Sequence, residues 1–332
     1  MIKILKPGLL TSFQDLGRYG YQKYGVIASG AMDQVAHRIS NILVGNDDGE
    51  ATIEITLSGP AIEFASDALI SICGADLSPE INGDPAKLWR PIFLESGSVL
   101  KFGKCKNGCR AYLAIAGGYS IPREMGSSST YLRAGIGGWN GRALKMGDEI
   151  SLRTPGTLSS RIAKQLPKKS NTSFREAEWT VAGNALPMYE TNPVVRITKG
   201  AQYGLFDSYS IDDFLHAPFK ITSQSDRMGY RLEGSKLMLK SPVEMISEAV
   251  RFGTIQVPSE GHPIILLADR QTTGGYPKIA EIATVDIPLV AQSKPGESLK
   301  FQLMSLEESQ QLLIDREENI KRIKQGVLLK YT

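Results

Sequence analysis

The chain has 332 residues, of which 42% are hydrophobic and 22% charged, a composition typical of a globular protein long enough for two domains. Its formal net charge of +3 gives no electrostatic argument for nucleic-acid binding, and its 33 glycines and 17 prolines favour a β-rich fold with many turns. The chain shows no basic-then-apolar leader and no apolar run of membrane-spanning length, so we expect a cytoplasmic protein that binds neither nucleic acid nor a membrane.

The first polar segment, Thr11–Arg18, combines an amide, an acid, a glycine and a base. Gln14 is a candidate for substrate binding, and Asp15 and Arg18 are candidates for catalysis. A guanidinium matches carboxylate and phosphate oxygens bidentately, and a carboxylate can orient that guanidinium or act as a base. The segment therefore predicts part of an oxyanion site.

A helix is predicted next, from about Gly30 to Val44, because apolar residues recur there at helical spacing and Gly45 suits its C-terminal end. Ser29 suits the N-cap. The N–H groups that follow it favour a carboxylate or phosphate, which makes Ser29, Gly30 and Asp33 candidate site residues. The alternative is that Ser29 only caps the helix.

Residues 50–153 read as short strands, in which apolar and polar residues alternate between turns. Glu54 lies in an apolar strand. If its side chain points inward, it needs a partner such as Arg18 or Arg270. The alternative is an ordinary residue on the solvent face of the strand.

The three cysteines are too few for a disulfide framework. Asn107-Gly108 predicts a two-residue hairpin turn, which would place Cys105 and Cys109 on opposite faces of the hairpin. The three histidines are widely spaced. We therefore predict reduced thiols and no metal site.

Three further segments carry only weak signals for chemistry. Gly135–Gly141 is rich in glycine but matches neither a phosphate loop nor a dinucleotide fingerprint. Gly126–Tyr131 carries hydroxyls without an adjacent base, so it is either a set of donors for an anion or a plain surface loop. Ala143–Met146 resembles a biotin attachment motif, but it precedes a turn inside a long domain, so we predict no covalently attached cofactor.

Turn-to-strand units at residues 95–102 and 294–301 resemble each other, which suggests two related β-barrels. A short helix is predicted to start at Ser241, where a capping box has proline at the first helical position. The predicted division is an N-terminal barrel domain (1–153), a linker or long loop (154–180), a C-terminal barrel domain (181–304), and a C-terminal helix and tail (305–332).

The most informative stretch follows a buried strand, Pro263–Ala268, which delivers an acid, a base, an amide and two hydroxyls to one glycine-hinged loop. The candidates there are Asp269 and Arg270 for catalysis, and Gln271, Thr272, Thr273, Gly274, Gly275 and Tyr276 for substrate binding. A second polar segment supplies Asp226 and Arg227, which either bind a polar substrate or clamp a turn. The alternative for the loop is a surface turn with a structural Asp–Arg pair.

These motifs together resemble the allophanate-hydrolase-subunit-2 family over residues 3–303. The matching stretches are Lys6–Ser12, Gln14–Arg18, Ser29–Asp33, Leu43–Asn46, Ser58–Pro60, Gly126–Thr130 and Asp269–Tyr276. Members of this family include the C subunit of 5-oxoprolinase, the carboxyltransferase part of urea carboxylase, and an antagonist of a sporulation-kinase inhibitor. A stand-alone chain of this length most resembles the first of these.

The resemblance implies a mainly β fold with two cyclophilin-like β-barrel domains and a few short helices. It also implies a hetero-oligomer, in which this chain acts with a B subunit of the allophanate-hydrolase-subunit-1 type and with the A subunit of 5-oxoprolinase. Together they would open 5-oxo-L-proline to L-glutamate, with ATP shared with or bound by the partner. The alternatives are a biotin-dependent carboxyltransferase on a urea-like amide and a non-enzymatic regulator of a kinase inhibitor.

The polar segments that hold Gln14–Arg18 and Asp269–Tyr276 share the same chemistry, although about 250 residues separate them. We therefore predict that both line one pocket, in which an oxyanion is bound by donors from more than one element.

Overall fold

The computed structural model of the chain describes residues 1–168 and 173–332. It divides into two compact units. Unit 1 contains Met1–Arg18, Ser29–Pro187 and Glu317–Thr332, and unit 2 contains Tyr19–Ala28 and Met188–Arg316. The prediction of a mainly β fold is confirmed, with one closed barrel and several open sheets.

Unit 1 is built from two six-stranded sheets, ordered β11-β1-β4-β9-β6-β7 and β12-β8-β5-β10-β3-β2. Its strands are β1 (Ile2–Lys6), β2 (Leu10–Gln14), β3 (Thr52–Thr56), β4 (Ala61–Phe64), β5 (Ala68–Asp76), β6 (Glu80–Ile81), β7 (Asp84–Pro85), β8 (Pro91–Leu94), β9 (Val99–Lys101), β10 (Asn107–Ile115), β11 (Glu149–Ile150) and β12 (Phe174–Glu176). Its helices are α1 (Gln34–Leu43) and α2 (Thr157–Gln165). The predicted N-terminal barrel is thus a pair of sheets in the described part of unit 1.

The core of unit 1 contains apolar side chains from both sheets. Ile4 and Phe64 of the first sheet and Ile53 and Leu113 of the second are fully buried in one cluster. Alternating residues of a strand point to opposite faces, so a second cluster forms where α1 covers Tyr112 and its neighbours on the other face of the second sheet. Both faces of this sheet are therefore buried where β2, β3 and β10 run side by side.

Unit 2 contains a closed barrel ordered β13-β20-β17-β18-β15-β14-β21, and a separate two-stranded sheet, β16-β19. Its strands are β13 (Val194–Lys199), β14 (Phe219–Ile221), β15 (Gly229–Glu233), β16 (Glu248–Ala249), β17 (Thr254–Gln256), β18 (Ile264–Leu266), β19 (Thr273–Gly274), β20 (Lys278–Ile282) and β21 (Ser298–Leu303). Its helices are α3 (Ser208–His216) and α4 (Ile287–Gln292), and α5 (Leu306–Tyr331) begins in unit 2 and ends in unit 1. Within the barrel, β13 and β21 pair in parallel.

The boundaries of the units differ from the predicted domain boundaries. The segment 154–180 contains α2 and β12, and β12 pairs with β8 in the second sheet of unit 1. Its residues 169–172 lie outside the described part of the chain. The polar composition of this stretch predicts a linker, but Leu158, Ile162 and Leu166 recur at helical spacing, and Ile162 and Leu166 are buried.

The predicted hairpin at Asn107-Gly108 is wrong. β9 pairs with β4 and β6 in the first sheet, whereas β10 pairs with β3 and β5 in the second. The prediction matched apolar faces that were close in sequence, but each strand finds its partners far along the chain. None of the three cysteines forms a disulfide.

The helix predicted at Ser241 does not form, and the segment up to Ser247 has no regular secondary structure. Val243 and Ile246 are 41% and 86% exposed, so a helix there would bury no apolar face. A capping box alone cannot offset the cost of nucleating a helix. No helix in the described ranges is both long and apolar enough to cross a membrane.

The thiols give a test of the fold. We expect Ellman titration in denaturant to find three free thiols, whereas in the native protein Cys73 should react much more slowly than it does in denaturant. Cys73 is fully buried, and burial raises the pKa of its thiol well above the ordinary value, which leaves little thiolate to react. Rapid native reaction of all three thiols would contradict this core.

Candidate functional site

The predicted site residues fall into two clusters, one in each unit. Gln14, Asp15, Arg18 and the Ser29–Asp33 turn belong to unit 1, and the Asp269–Tyr276 loop belongs to unit 2. The geometry below is therefore that of each cluster by itself. That both line one pocket stays a prediction.

Asp15, which follows β2, is the centre of the unit 1 cluster. Its carboxylate accepts hydrogen bonds from the hydroxyls of Ser127 (2.7 Å) and Ser129 (2.5 Å) and from the backbone N–H groups of Ser128 (2.6 Å) and Gly17 (2.8 Å). The segment Ser127–Thr130 does supply donors to an anion, as the sequence suggested, but within the protein that anion is Asp15.

Burial alone would raise the pKa of Asp15, but the hydrogen bonds from Ser129, Gly17, Ser127 and Ser128 outweigh it and lower the pKa below its ordinary value. Asp15 is 8% exposed. A carboxylate that is ionised and surrounded by donors is a poor general base at neutral pH, so its geometry suits the holding of the serine segment.

Arg18 and Gln14 also form hydrogen bonds with the segment that contains Ser127–Thr130. The guanidinium of Arg18, which is 1% exposed, donates to the carbonyls of Glu124 (3.0 Å) and Ser129 (2.9 Å). The amide of Gln14 donates to the Thr130 carbonyl (3.2 Å). These side chains therefore bind the backbone of the loop that Asp15 holds by its hydroxyls.

Side chains of β3 and β10 hold the Ser29–Asp33 turn by hydrogen bonds to its backbone. Glu54 and Tyr112 face each other in register, and the Tyr112 hydroxyl donates to Glu54 Oε2 (2.8 Å). Glu54 also accepts from the Met32 N–H (2.9 Å), and Tyr112 accepts from the Asp33 N–H (2.7 Å). Glu54 is thus inward-facing, as one of the two interpretations predicted, and its partners are Tyr112 and a backbone amide.

Asp33, not Ser29, caps α1. Its Oδ1 accepts from the N–H groups of Val35 (3.1 Å) and Ala36 (3.0 Å). Ser29 has a left-handed φ of 54°, and Gly30 follows with a φ of 99°. A non-glycine residue in that region is uncommon and marks a constrained turn. The alternative interpretation of Ser29 as the helix cap is therefore wrong, while Gly45 ends the helix as expected, donating to the Ile42 carbonyl.

His37 is a buried residue that the sequence interpretation did not consider for the site. Its Nδ1 lies 2.9 Å from Thr52 Oγ1. Burial lowers its pKa to about 4, against the opposing effects of Asp15, Glu54 and Asp48, so the imidazole is neutral at pH 7. Its position on the apolar face of α1 is the only signal in the sequence, and that face also suits a core histidine.

In unit 2, Asp269 forms a two-pronged ion pair with Arg227. Their contacts are Nε to Oδ2 at 3.0 Å and Nη2 to Oδ1 at 3.1 Å, and both residues are 5% exposed. The Asp269 N–H also donates to the Arg227 carbonyl (2.8 Å). Asp226 clamps the turn that precedes β15, accepting from the Met228 N–H (2.8 Å). The interpretation of a structural Asp–Arg pair thus holds for Asp269, but its partner is Arg227.

Arg270 differs from its neighbour. Its hydrogen bonds are two long ones to the carbonyls of Val250 (3.4 Å) and Leu267 (3.3 Å), and it forms no ion pair with any described residue. Its guanidinium lies 5.8 Å from the centre of the Phe252 ring. Burial lowers the pKa of Arg270, while Tyr19 and Glu281 act in the opposite direction. It is thus a half-buried cation with open donor capacity.

The rest of the loop is held by close backbone contacts. Gly274 pairs with Glu248 in the β16–β19 sheet, and a Cβ on Gly274 would lie 2.5 Å from Gln256 Nε2, which donates to the Tyr276 carbonyl (3.2 Å). A side chain at position 274 would therefore require the amide end of the Gln256 side chain to move. Gln271, Thr273 and Tyr276 are exposed.

Two further charged residues beside this loop were not predicted. Lys278 is 7% exposed and donates to Glu248 Oε2 (2.7 Å), which fastens β16 beside the loop. Burial raises the pKa of Glu281, whose oxygens accept from the Thr254 hydroxyl. Each is a charged residue in an otherwise apolar strand, the same signal that identified Glu54.

The glycine-rich loop is not built as a cofactor site. Cβ atoms on Gly137 and Gly138 would collide with Ser129 and Thr130, so these glycines allow the loop to pack on the serine segment. In the described ranges, no group of three or more His, Cys, Asp or Glu side chains is placed to hold a metal ion.

Comparison with known proteins places this geometry in a family. The family described as "Carboxyltransferase domain, subdomain A and B" matches residues 24–303. The C subunit of 5-oxoprolinase from Haemophilus influenzae is 36% identical over 97% of this chain and 98% of that protein. The protein of the same name from Escherichia coli is also 36% identical, over 97% of both chains.

Solved structures agree. The crystal structure of the Kluyveromyces lactis urea amidolyase superposes with a TM-score of 0.87 at 31% identity, covering 97% of this chain but 20% of that chain. The match therefore spans one part of a much longer protein. A family match over most of the chain, with relatives of equal length, shows that this chain belongs to the carboxyltransferase-domain family.

Proposed function

We propose that this chain is the C subunit of a cytoplasmic, ATP-dependent 5-oxoprolinase, which acts with the B and A subunits of that enzyme to open 5-oxo-L-proline to L-glutamate. The observation that carries the proposal is its end-to-end similarity to two proteins of that name, which cover 97% of this chain and are themselves covered over 98% and 97% of their lengths. The two-domain, cyclophilin-like description of the fold belongs to the same proposal.

Arg270 is the residue we assign to the substrate. 5-Oxo-L-proline carries a carboxylate, and a guanidinium with open donors in a half-buried setting would bind it with charge-assisted hydrogen bonds. The paired Arg227 is unsuited to this role, because its donors already face Asp269. The exposed side chains of Gln271, Thr273 and Tyr276 would complete the polar contacts.

The other predicted residues are assigned positioning roles. Asp269 would hold the start of the loop through Arg227, whereas Asp15 and Arg18 would hold the Ser127–Thr130 segment. Glu54 would hold the Ser29–Asp33 turn, and Asp33 the start of α1. Each of these carboxylates already accepts hydrogen bonds within the chain, so none is assigned as the general base.

ATP is assigned to the partner or to a site shared with it. The glycine-rich loop packs against the protein's own serine segment, so it offers no cradle for phosphates. Within this chain we assign only substrate recognition.

A second candidate is a carboxyltransferase acting on a urea-like amide. It is favoured by the carboxyltransferase-domain match and by the superposition on part of urea amidolyase. The two candidates differ in their requirement for biotin. Glutamate release by the assembled complex that is unaffected by avidin supports the oxoprolinase, whereas transfer of a biotin-borne carboxyl group supports the carboxyltransferase.

The role of Arg270 predicts a defined loss of activity. Arg270→Ala should lower ATP-dependent glutamate release by the assembled complex at least about tenfold, since a charge-assisted contact contributes roughly 1.5–3 kcal/mol. Its thermal midpoint should change little, because the side chain makes only long hydrogen bonds.

Arg227→Ala is the matched variant. It should instead destabilise the protein by roughly 3–5 kcal/mol, because it leaves the Asp269 carboxylate buried without its partner. Arg270→Lys, which keeps the charge, should retain part of the activity. An Arg270→Ala protein with full activity would overturn the assignment.

The hydrogen bonds of Asp15 predict a stability effect that depends on pH. Asp15→Asn should lower the free energy of unfolding at pH 7 by roughly 1.5–3 kcal/mol. The folded-state pKa of Asp15 lies below its ordinary value of 3.8, so the stabilisation is present above that value and is lost as the pH falls through the lower, folded-state pKa. The difference between variant and wild type should therefore shrink in strong acid.

Urea unfolding at a series of pH values measures this effect. Asp47→Asn is the control, because Asp47 is an exposed carboxylate on the loop that follows α1. Equal effects of both substitutions at pH 7 would show that the carboxylate of Asp15 does not hold the serine segment.

The partnership predicts co-assembly. Co-expression with a B subunit of the allophanate-hydrolase-subunit-1 type should give one hetero-oligomeric peak in size-exclusion chromatography. Two separate peaks at micromolar concentration would contradict it, and glutamate release that is complete without this chain would exclude it from the enzyme.

A further inference from the structure

A cavity of about 410 Å³ in unit 2 contains none of the residues of the Asp269–Tyr276 loop. Its walls come from the end of β14, the middle of β15 and the turn that leads into β18. The polar residues that line it include Thr222, Gln224, Arg231, Glu233, Glu260 and His262. The volume is in the range of small-molecule sites.

The charged side chains that line this cavity are not paired with each other. Arg231, Glu233 and Glu260 line this cavity at its solvent-exposed side and form no ion pair or side-chain hydrogen bond with any described residue. By contrast, Arg227, which lies four positions before Arg231, forms an ion pair with Asp269. A ligand that carries both signs of charge would find a partner for each of them in this lining.

Two uncharged polar atoms in the wall of the cavity also lack hydrogen-bond partners. The hydroxyl of Thr222 and Nδ1 of His262 are buried and have no hydrogen-bond partner among the described residues. Most buried polar atoms in folded proteins are paired, so two unpaired atoms in one wall need an explanation. A ligand seated there, with a small adjustment of the wall, would supply partners.

We propose that this cavity binds an α-amino acid with an aliphatic side chain. The α-carboxylate would accept two hydrogen bonds from the Arg231 guanidinium, and the α-ammonium would donate to Glu260. The aliphatic side chain would lie against Pro263 and Ile264, which line the same cavity.

The sign of the charge disfavours an acidic amino acid. One positive and two negative side chains give the charged lining a net charge of −1. A second carboxylate on the ligand would face that excess without a second guanidinium. The site is therefore distinct in specificity from one for L-glutamate, the product of the proposed reaction.

The probes are L-leucine and two fragments of it, 4-methylpentanoate, which lacks the ammonium group, and 3-methylbutylamine, which lacks the carboxylate. Isothermal titration calorimetry on the full chain should show binding of L-leucine, with each fragment and L-glutamate weaker by at least about tenfold. If either fragment bound as tightly as L-leucine, only one of the two charges would contribute to binding, and this would overturn the proposal.

Arg231→Gln and Glu260→Gln should each weaken L-leucine binding at least about tenfold. Lys236→Gln, which removes a charge that does not line the cavity, should leave it unchanged. Unchanged affinity in both cavity variants, or no heat with L-leucine at millimolar concentration, would overturn the assignment. Binding is measured on the chain alone, so a negative result leaves the proposed 5-oxoprolinase role standing.

Discussion

A buried, ionised carboxylate needs hydrogen-bond donors, and in unit 1 this requirement determines how two loops pack. Asp15 takes its donors from the Ser127–Thr130 segment, which fixes that segment against the end of β2. The glycine-rich loop then packs so closely on Ser129 and Thr130 that side chains on Gly137 and Gly138 would collide with them. The serines and the glycines, which look like two separate motifs in the sequence, are thus consequences of one ionised group.

Unit 2 uses its two adjacent polar residues for opposite purposes. Asp269 forms an ion pair with Arg227, which lies 42 residues earlier, whereas Arg270 forms no ion pair with any described residue and lies beside Phe252. The Asp269–Arg227 ion pair fixes the start of the loop. Because the backbone of the loop is already fixed there, Arg270 would lose less conformational entropy when its guanidinium binds a partner. The clamp found at Asp269 and the role proposed for Arg270 are therefore compatible, because they concern different members of the pair.

Local signals in the sequence were reliable where the structure is local. The glycine at the end of α1 and the C-terminal helix follow from spacing and residue type, and both are found. The predicted cap of α1 lies four residues before the observed one because serine and aspartate cap about equally well, and it is the carboxylate of Asp33 that accepts the hydrogen bonds of Val35 and Ala36.

Prediction failed where partners are distant in the chain. β9 and β10 are neighbours in sequence but belong to different sheets, and Asp269 pairs with the distant Arg227 and not with the adjacent Arg270. Likewise, neither Tyr112 nor Lys278 carries a local pattern that reveals the carboxylate it meets. Such pairings depend on topology, which residue types alone do not specify.

The contact between Gly274 and Gln256 limits how this loop can change. A side chain at position 274 would have to displace the Gln256 amide group, which donates to the Tyr276 carbonyl, so substitution there would cost the loop this hydrogen bond. The side chains of Gln271, Thr273 and Tyr276, by contrast, are exposed. These can be exchanged on a backbone whose course is already fixed.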